Sequence, residues 1–313
     1  MHKSMELKRR IFQYMLSDIV LFRRAFTLLV AKFNLGQEPP PSEPQELWDD
    51  LPLGVDGLAF ISLPVAEYMP RLTFMPRIMR YAAVQYRHYY TDLTGTFESY
   101  LHKFSSKSRS TLRRKVRKFA MGTGGEIQWR VYRTPEDMRE FFQLARSVAG
   151  KTYQEKLLGA ALPDSKEFLE DIQQLASADS VRGYLLFGED RKPVAYLYCP
   201  ISSGVVDYAY LGYDPELSYL SPGTVLQYCA LESLFEEGCH RFFDFGQGEG
   251  EHKKLFATDS FLCADVYYFR RTFRNQFLVG LHWMTDRSSE GVGRVLESLG
   301  LKRLIKRFIR RQI

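Results

Sequence analysis

Cysteine is scarce in this chain. Four residues, Cys199, Cys229, Cys239 and Cys263, are spread over 313 positions in apolar surroundings. They form no Cys-x-x-Cys pair and follow no secretory leader, which argues against a disulfide framework and for a reducing, cytoplasmic setting. The six histidines include no His-x-x-x-His pair, and only Cys239-His240 sets two ligand types side by side, so no metal is expected. A membrane-spanning run is also missing. The stretch 11–33 is broken by Asp18, Arg23, Arg24 and Lys32, too many charges for a bilayer core about 30 Å thick. Its apolar residues Phe12, Met15, Leu16, Ile19, Phe22, Phe26, Leu29 and Val30 recur at helical spacing, which predicts an amphipathic helix.

Hydrophobic residues make up 45% of the chain and aromatic ones 14%, enough for one large core or two modest ones and far from a disordered composition. The net charge of +6 is concentrated in two places: 103–118 holds eight Lys/Arg and no acid, and 294–313 holds seven Lys/Arg against one Glu. These outweigh the total, so the remainder is net negative. That distribution suits two local contacts with anions rather than a uniformly basic nucleic-acid binder. In 301–313, Leu301, Leu304, Ile305, Phe308 and Ile309 form one stripe and six basic residues the other. Such a helix either lies on an anionic membrane surface or docks on the N-terminal helix.

The segment 35–44, with Gly36 and Pro39-Pro40-Pro41, reads as a linker. Residues 55–94, with aromatic and β-branched runs at 58–63, 78–84 and 86–90, suggest strands and short helices. A serine-rich start and a basic face predict a helix over 96–119, stopped by Gly122, Gly124 and Gly125. A strand at 127–132 leads into Thr134-Pro135-Glu136-Asp137, an N-cap with proline and acids in the first turn, and a second helix follows at 165–176. Three strands then form a meander over 181–188, 193–200 and 205–213. Next come a helix at 223–237 ended by Gly238, a strand at 240–245, a glycine-rich loop, a short helix at 251–256 and a strand at 261–269. That order is α+β, not repeated βαβ.

Ser221-Pro222-Gly223-Thr224 opens a helix where free N–H groups can receive phosphate and Gly223 lets an anion approach the main chain; an ordinary Ser-Pro helix start has the same residues. The order of elements favours the phosphate reading, because residues 96–270 resemble the acyltransferase group that includes the CelD-like cellulose-biosynthesis proteins, themselves related to FemAB-type transferases. The resemblance rests on Phe97-Glu98-Ser99-Tyr100-Leu101 with Lys107, Arg109 and Arg113-Arg114, and on Lys151-Thr152-Tyr153-Gln154. It continues through Lys192-Pro193-Val194-Ala195, Gly212-Tyr213-Asp214-Pro215, Ser221 to Leu226, and Asp244-Phe245-Gly246 with Lys253 and Phe256.

The resemblance implies the acyl-CoA N-acyltransferase (GNAT) fold in two tandem lobes, the N-terminal one a degenerate copy. The division it suggests is 1–44 (helix and linker), 48–120 (degenerate lobe), 121–275 (catalytic domain) and 276–313 (basic tail). It implies acetyl-CoA or a longer acyl-CoA as donor and a small-molecule, sugar or lipid acceptor bearing an amine or hydroxyl. The donor then lies along 208–213, with Leu211, Gly212 and Tyr213 beside the thioester arm and Ser221, Gly223 and Thr224 on the pyrophosphate.

Acyl transfer needs a base for the nucleophile and an acid for the leaving thiolate. His252, Glu249, Glu251 and Asp244 are the candidates, each with a plainer alternative: a solvated histidine, two surface acids and a loop cap. Relatives commonly carry a tyrosine where this chain has His252, so a tyrosine acid does not transfer to that position. Tyr153 and Gln154 are candidates for the acceptor pocket, with Lys253 and Arg109 as further substrate contacts. Two other readings remain: a FemAB-like transferase using charged tRNA, the only case with a nucleic-acid partner, and a catalytically degenerate scaffold at the inner face of a membrane. The run Asp244 to Gly250 also looks like a methyltransferase glycine loop, but too little chain follows it for that fold.

Overall fold

The computed structural model describes residues 5–16, 19–37, 48, 51–52, 54–152 and 162–298, the last twelve as backbone. In chain order, β1 (Glu6–Leu16), β2 (Ile19–Lys32), β3 (Gly57–Pro64), β4 (Leu72–Phe74) and β5 (Ile78–Asp92) come first. Helices α1 (Phe97–His102) and α2 (Ser106–Gly122), β6 (Gln128–Tyr132), α3 (Pro135–Ala149) and α4 (Lys166–Ser177) follow. The remainder is β7 (Val181–Phe187), β8 (Pro193–Ser202), β9 (Val205–Asp207), β10 (Tyr210–Tyr213), a 3-10 turn (Pro215–Leu220), α5 (Pro222–Glu237), β11 (Phe242–Asp244), α6 (Glu251–Phe256), β12 (Asp259–Arg270) and α7 (Phe273–Ser298). Two compact units result: Met1–Tyr86 with Leu262–Ile313, and Arg87–Phe261. Strands β5 and β12 carry the chain from one to the other.

In the first unit the strand order is β1-β2-β3-β12, and β4 pairs with β5. The helix expected over 11–33 is instead the antiparallel hairpin of β1 and β2, with Phe12 opposite Arg24 and Tyr14 opposite Phe22. Phe12, Tyr14, Phe26, Leu28 and Val30 turn inward while Gln13, Arg23 and Arg24 are exposed. That is period-2 alternation, and a run dense in aromatic and β-branched residues satisfies both periods when read alone. Pairing with β3, parallel from Leu28 opposite Gly57 to Lys32 opposite Ile61, decides for the strand. The first unit also draws on both ends of the chain, so it is not the lobe 48–120. Residues 87–120 belong to the second unit, and α7 packs Val279 into the first. The stripe at 301–313 lies outside the described residues.

In the second unit the order is β11-β9-β8-β7-β6, with the end of β5 antiparallel to β11. Tyr184, Leu186, Ala195 and Leu197 face one layer, formed by α2 and α5. Leu185, Tyr196 and Tyr198 face the other, formed by α3 and α4. Both faces are covered, which is why β7 and β8 read as unbroken apolar runs. Helix α5 is buried almost all round, from Val225 to Phe235, the expected state of a helix without a polar stripe. The single helix expected over 96–119 is two, each with its own cap: Thr96 accepts from the Ser99 N–H and Ser105 from the Ser108 N–H.

The strand expected over 205–213 is broken, and the break forms the site. β9 pairs in parallel with β11, Val206 opposite Phe243. Past Asp207 the chain turns away, and among the described residues β10 pairs only with β8, Gly212 opposite Tyr196. Two bonds hold the divergence: the Tyr208 N–H donates to the Asp244 carbonyl (2.8 Å) and the Ala209 N–H to the Tyr198 carbonyl (3.2 Å).

Candidate active site

The wedge that opens where β10 leaves β9 and β11 holds a cleft of about 650 Å³, within the usual range for small-molecule sites. Its walls include Tyr208, Leu211, Gly212 and Tyr213 from the broken strand, Ser221, Gly223, Thr224 and Gln227 from the start of α5, Lys115 from α2, Thr152, and His252 from α6. All of these lie in the second unit.

Local chemistry sets the floor of the cleft. Ser221 is held in the left-handed region (φ 57°) between the 3-10 turn and α5, and its side chain makes no cap bond. Pro222 has no N–H, the Thr224 and Val225 N–H groups reach back to the Ser221 carbonyl (3.0 and 3.1 Å), and the positive end of the helix dipole points into the cleft. Lys115 brings its ammonium to 3.4 Å from the Thr224 hydroxyl. Gln227, one turn further along α5, is 1% exposed, and its Nε2 has no hydrogen-bond partner among the described residues. A buried amide donor left without an acceptor costs about 1–3 kcal/mol, and an acceptor on a bound ligand would recover it.

Gly212 is a steric requirement of the wall. A Cβ there would stand 2.4 Å from the ring of Tyr196, which is fully buried. Gly212→Ala is therefore expected to cost about 1–3 kcal/mol by overpacking, read as a lower midpoint in denaturant unfolding. An unchanged midpoint would mean that β10 shifts freely off β8.

Tyr208 and His252 also line the cleft, their ring centroids 5.8 Å apart. Burial raises the pKa of Tyr208 far above its ordinary value, with nearby Cys199 and Tyr196 adding to the effect, so it remains a phenol donor. His252 sits on the exposed rim, yet the surrounding atoms, followed by the Lys253 charge, lower its pKa below 6.5 and keep the imidazole neutral.

Of the residues picked from sequence, Leu211, Gly212, Tyr213, Ser221, Gly223, Thr224 and His252 converge on the cleft, while Asp244, Lys253, Glu249, Glu251 and Arg109 do not line it. The Asp244 carboxylate accepts from the Gly246 N–H (2.6 Å) and lies 2.6 Å from His88 Nε2. Buried Lys253 donates to the Gln247 carbonyl at 2.7 Å. These two side chains shape the glycine loop. Glu249 and Glu251 share Lys254 at 3.6 and 3.3 Å on the surface, and Arg109 reaches His102 at 3.4 Å. Tyr153 and Gln154 lie outside the described residues. Lys115 and Gln227 were not anticipated. Lys115 was discernible only as one of eight basic residues, and Gln227 carried no signal in an apolar helix.

Cys199, Cys229 and Cys263 are buried, but Cys239 is exposed, against the expectation of apolar surroundings for all four. Ligand atoms of Glu237, Cys239 and His240 lie within 4.8 Å of one another. Glu237 already pairs with Arg182 (3.0 Å) and Arg133 (2.8 Å), and two guanidiniums beside the carboxylate oppose a cation there. Among the described residues no helix is long and apolar enough to cross a membrane.

No curated protein shows a significant sequence match. Among solved structures, FemX is similar with a TM-score of 0.50 at 11% identity, over 87% of this chain and 90% of that one, a likeness of fold. L-PGS from Bacillus licheniformis is similar at a TM-score of 0.43 and 14% identity, over 72% of each chain. Residues 106–254, which supply all the cleft residues named above, match the family described as acetyltransferase (GNAT) domain, so this part of the chain is similar to GNAT acetyltransferase domains.

Proposed function

We propose that the protein transfers an acetyl or longer acyl group from acyl-CoA to an amine or hydroxyl acceptor. The observation that carries this reading is the wedge between β10 and β11, closed at one end by the N-terminus of α5. A strand with one neighbour leaves alternate backbone groups open, so β10 can hold an extended pantetheine arm as a strand would be held. Its amides then reach the thioester oxygen, where charge develops. The pyrophosphate falls at Ser221, Gly223 and Thr224 with Lys115 beside it.

In this pose His252 takes the proton from the nucleophile as its nitrogen or oxygen bonds to the thioester carbon. The carbon–sulfur bond then breaks, and the leaving thiolate takes the Tyr208 phenol proton. Tyr208 fills the part of proton donor that the tyrosine of relatives plays from α6. Asp244 and Lys253 hold the glycine loop that presents α6.

Isothermal titration with acetyl-CoA and a longer acyl-CoA tests the donor. Micromolar binding, weakened at least about tenfold in Lys115→Glu, is the expected result. Lys115 is partly exposed on α2, and an unchanged unfolding midpoint in the variant ties weaker binding to the altered charge. If neither thioester binds, the donor reading fails and charged tRNA becomes the next candidate. One observation favours that second, FemAB-like reading: Arg113, Arg114, Arg117 and Lys118 are exposed on α2 beside Lys115, a charge density suited to a polyanion larger than CoA.

A further inference from the structure

The first unit exposes an apolar surface that its own core does not explain. Phe273 is 88% exposed and Phe277, one turn along α7, 61%; with Phe22 of β2 at 39% they surround a groove of about 380 Å³. The same groove is lined by Arg23, Arg24 and Arg274. At the start of α7 a second groove, of about 340 Å³, is lined by Trp48, Arg77, Arg270 and Arg271. Arg270 lies over the Trp48 ring at 5.6 Å, and Arg271 over Phe74, itself 52% exposed, at 5.8 Å.

Charge on this surface is nearly all of one sign. Asp56 faces it, 3.7 Å from Arg274, and is itself occupied in accepting from the Thr27 N–H. Among the described residues Arg23, Arg24, Arg77 and Arg270 have no carboxylate partner at ion-pair distance. An exposed aromatic patch ringed by arginines marks an interaction surface. Arginine alone would suit a nucleic acid, but such a partner would leave Phe273 and Phe277 in water. Both features are used together at a lipid interface, where aromatic side chains sink to the headgroup boundary and guanidiniums meet phosphate.

We propose that the start of α7, with the β1–β2 hairpin beside it, is a docking surface for an anionic phospholipid membrane. The surface is separate from the acyl-transfer cleft, and its test does not depend on that reading. Co-sedimentation of the full chain with phosphatidylcholine vesicles, and with vesicles containing about one-third phosphatidylglycerol, measures the interaction. Binding to the anionic vesicles alone is expected, falling severalfold as ionic strength rises from about 0.1 to about 0.5 M. The double variant Phe273→Ser/Phe277→Ser should lose at least about tenfold in partitioning. Both side chains are exposed, and an unchanged unfolding midpoint ties the loss to the surface. Arg23→Gln/Arg24→Gln provides an independent variant with the same expected direction. No preference for anionic vesicles would overturn the proposal. So would variants that bind as the wild type does, which would place any binding elsewhere in the chain, or binding to RNA with none to vesicles.

Discussion

Tyr208→Phe lowers kcat about 10²- to 10⁴-fold, the usual worth of a positioned general acid, and leaves donor affinity nearly unchanged. The substitution is selective because the ring has a second role. Tyr208 lies 6.2 Å from Phe243 and 6.0 Å from Phe245, centroid to centroid, and phenylalanine keeps those contacts. Only the hydroxyl is removed, and in the proposed mechanism that hydroxyl is the proton source for the leaving thiolate. A kcat within about twofold of wild type would reduce Tyr208 to packing and end its role as acid.

The pH profile separates the two groups. With its pKa lowered, His252 is neutral through the neutral range, so kcat/KM should rise along an acid limb below pH 6.5 and then level off. Tyr208 stays protonated well into the alkaline range and adds no descending limb near neutrality. His252→Gln should lower the plateau and abolish the acid limb. A limb that survives in this variant assigns the base to another residue.

Much of the site could be read locally, because its pieces have local causes. Ser221-Pro222-Gly223-Thr224 begins a helix through the fixed φ of proline and the small size of glycine, and α5 starts there. Thr134-Pro135 likewise opens α3. What escaped the sequence has distant causes. Residues 205–213 alternate like one strand, and the bonds from the Tyr208 N–H to the Asp244 carbonyl, 36 residues on, and from the Ala209 N–H to the Tyr198 carbonyl show where it breaks. The sequence leaves Asp244 between a catalytic acid and a loop cap because its partner His88 is 156 positions away. The β1–β2 hairpin looked helical because its pairing with β3, beyond the proline run, is invisible to a local window. Periodicity reports which face of an element is apolar; what the element leans on is a tertiary fact.

Glu237→Gln is expected to destabilise the fold by about 3 kcal/mol at pH 7, the scale for removing one partner of a buried ion pair. Glu237 is the last residue of α5, just before Gly238 in the left-handed region (φ 61°), and a carboxylate at the negative end of a helix dipole is unfavourable by itself. It is kept there by Arg182 of β7, whose side chain is 2% exposed and 3.0 Å away, by Arg133 at 2.8 Å and by His240 at 3.2 Å. Neutralising Glu237 leaves the buried Arg182 guanidinium with Asp179 as its remaining acid, and that side chain is 74% exposed. Burial by itself would raise the Glu237 pKa, but the hydrogen bonds from His240 and Arg182 and the two arginine charges prevail and lower it below 4.5. A depressed folded pKa means stability that is fully present above the unfolded value and lost as pH falls through the folded one. The gap between wild type and variant in denaturant unfolding should therefore be widest near neutrality and close below pH 4.5. A gap under about 1 kcal/mol at pH 7 would mean that the cluster only offsets its own desolvation, and that the end of α5 is held by the packing of Leu234 and Phe235 instead.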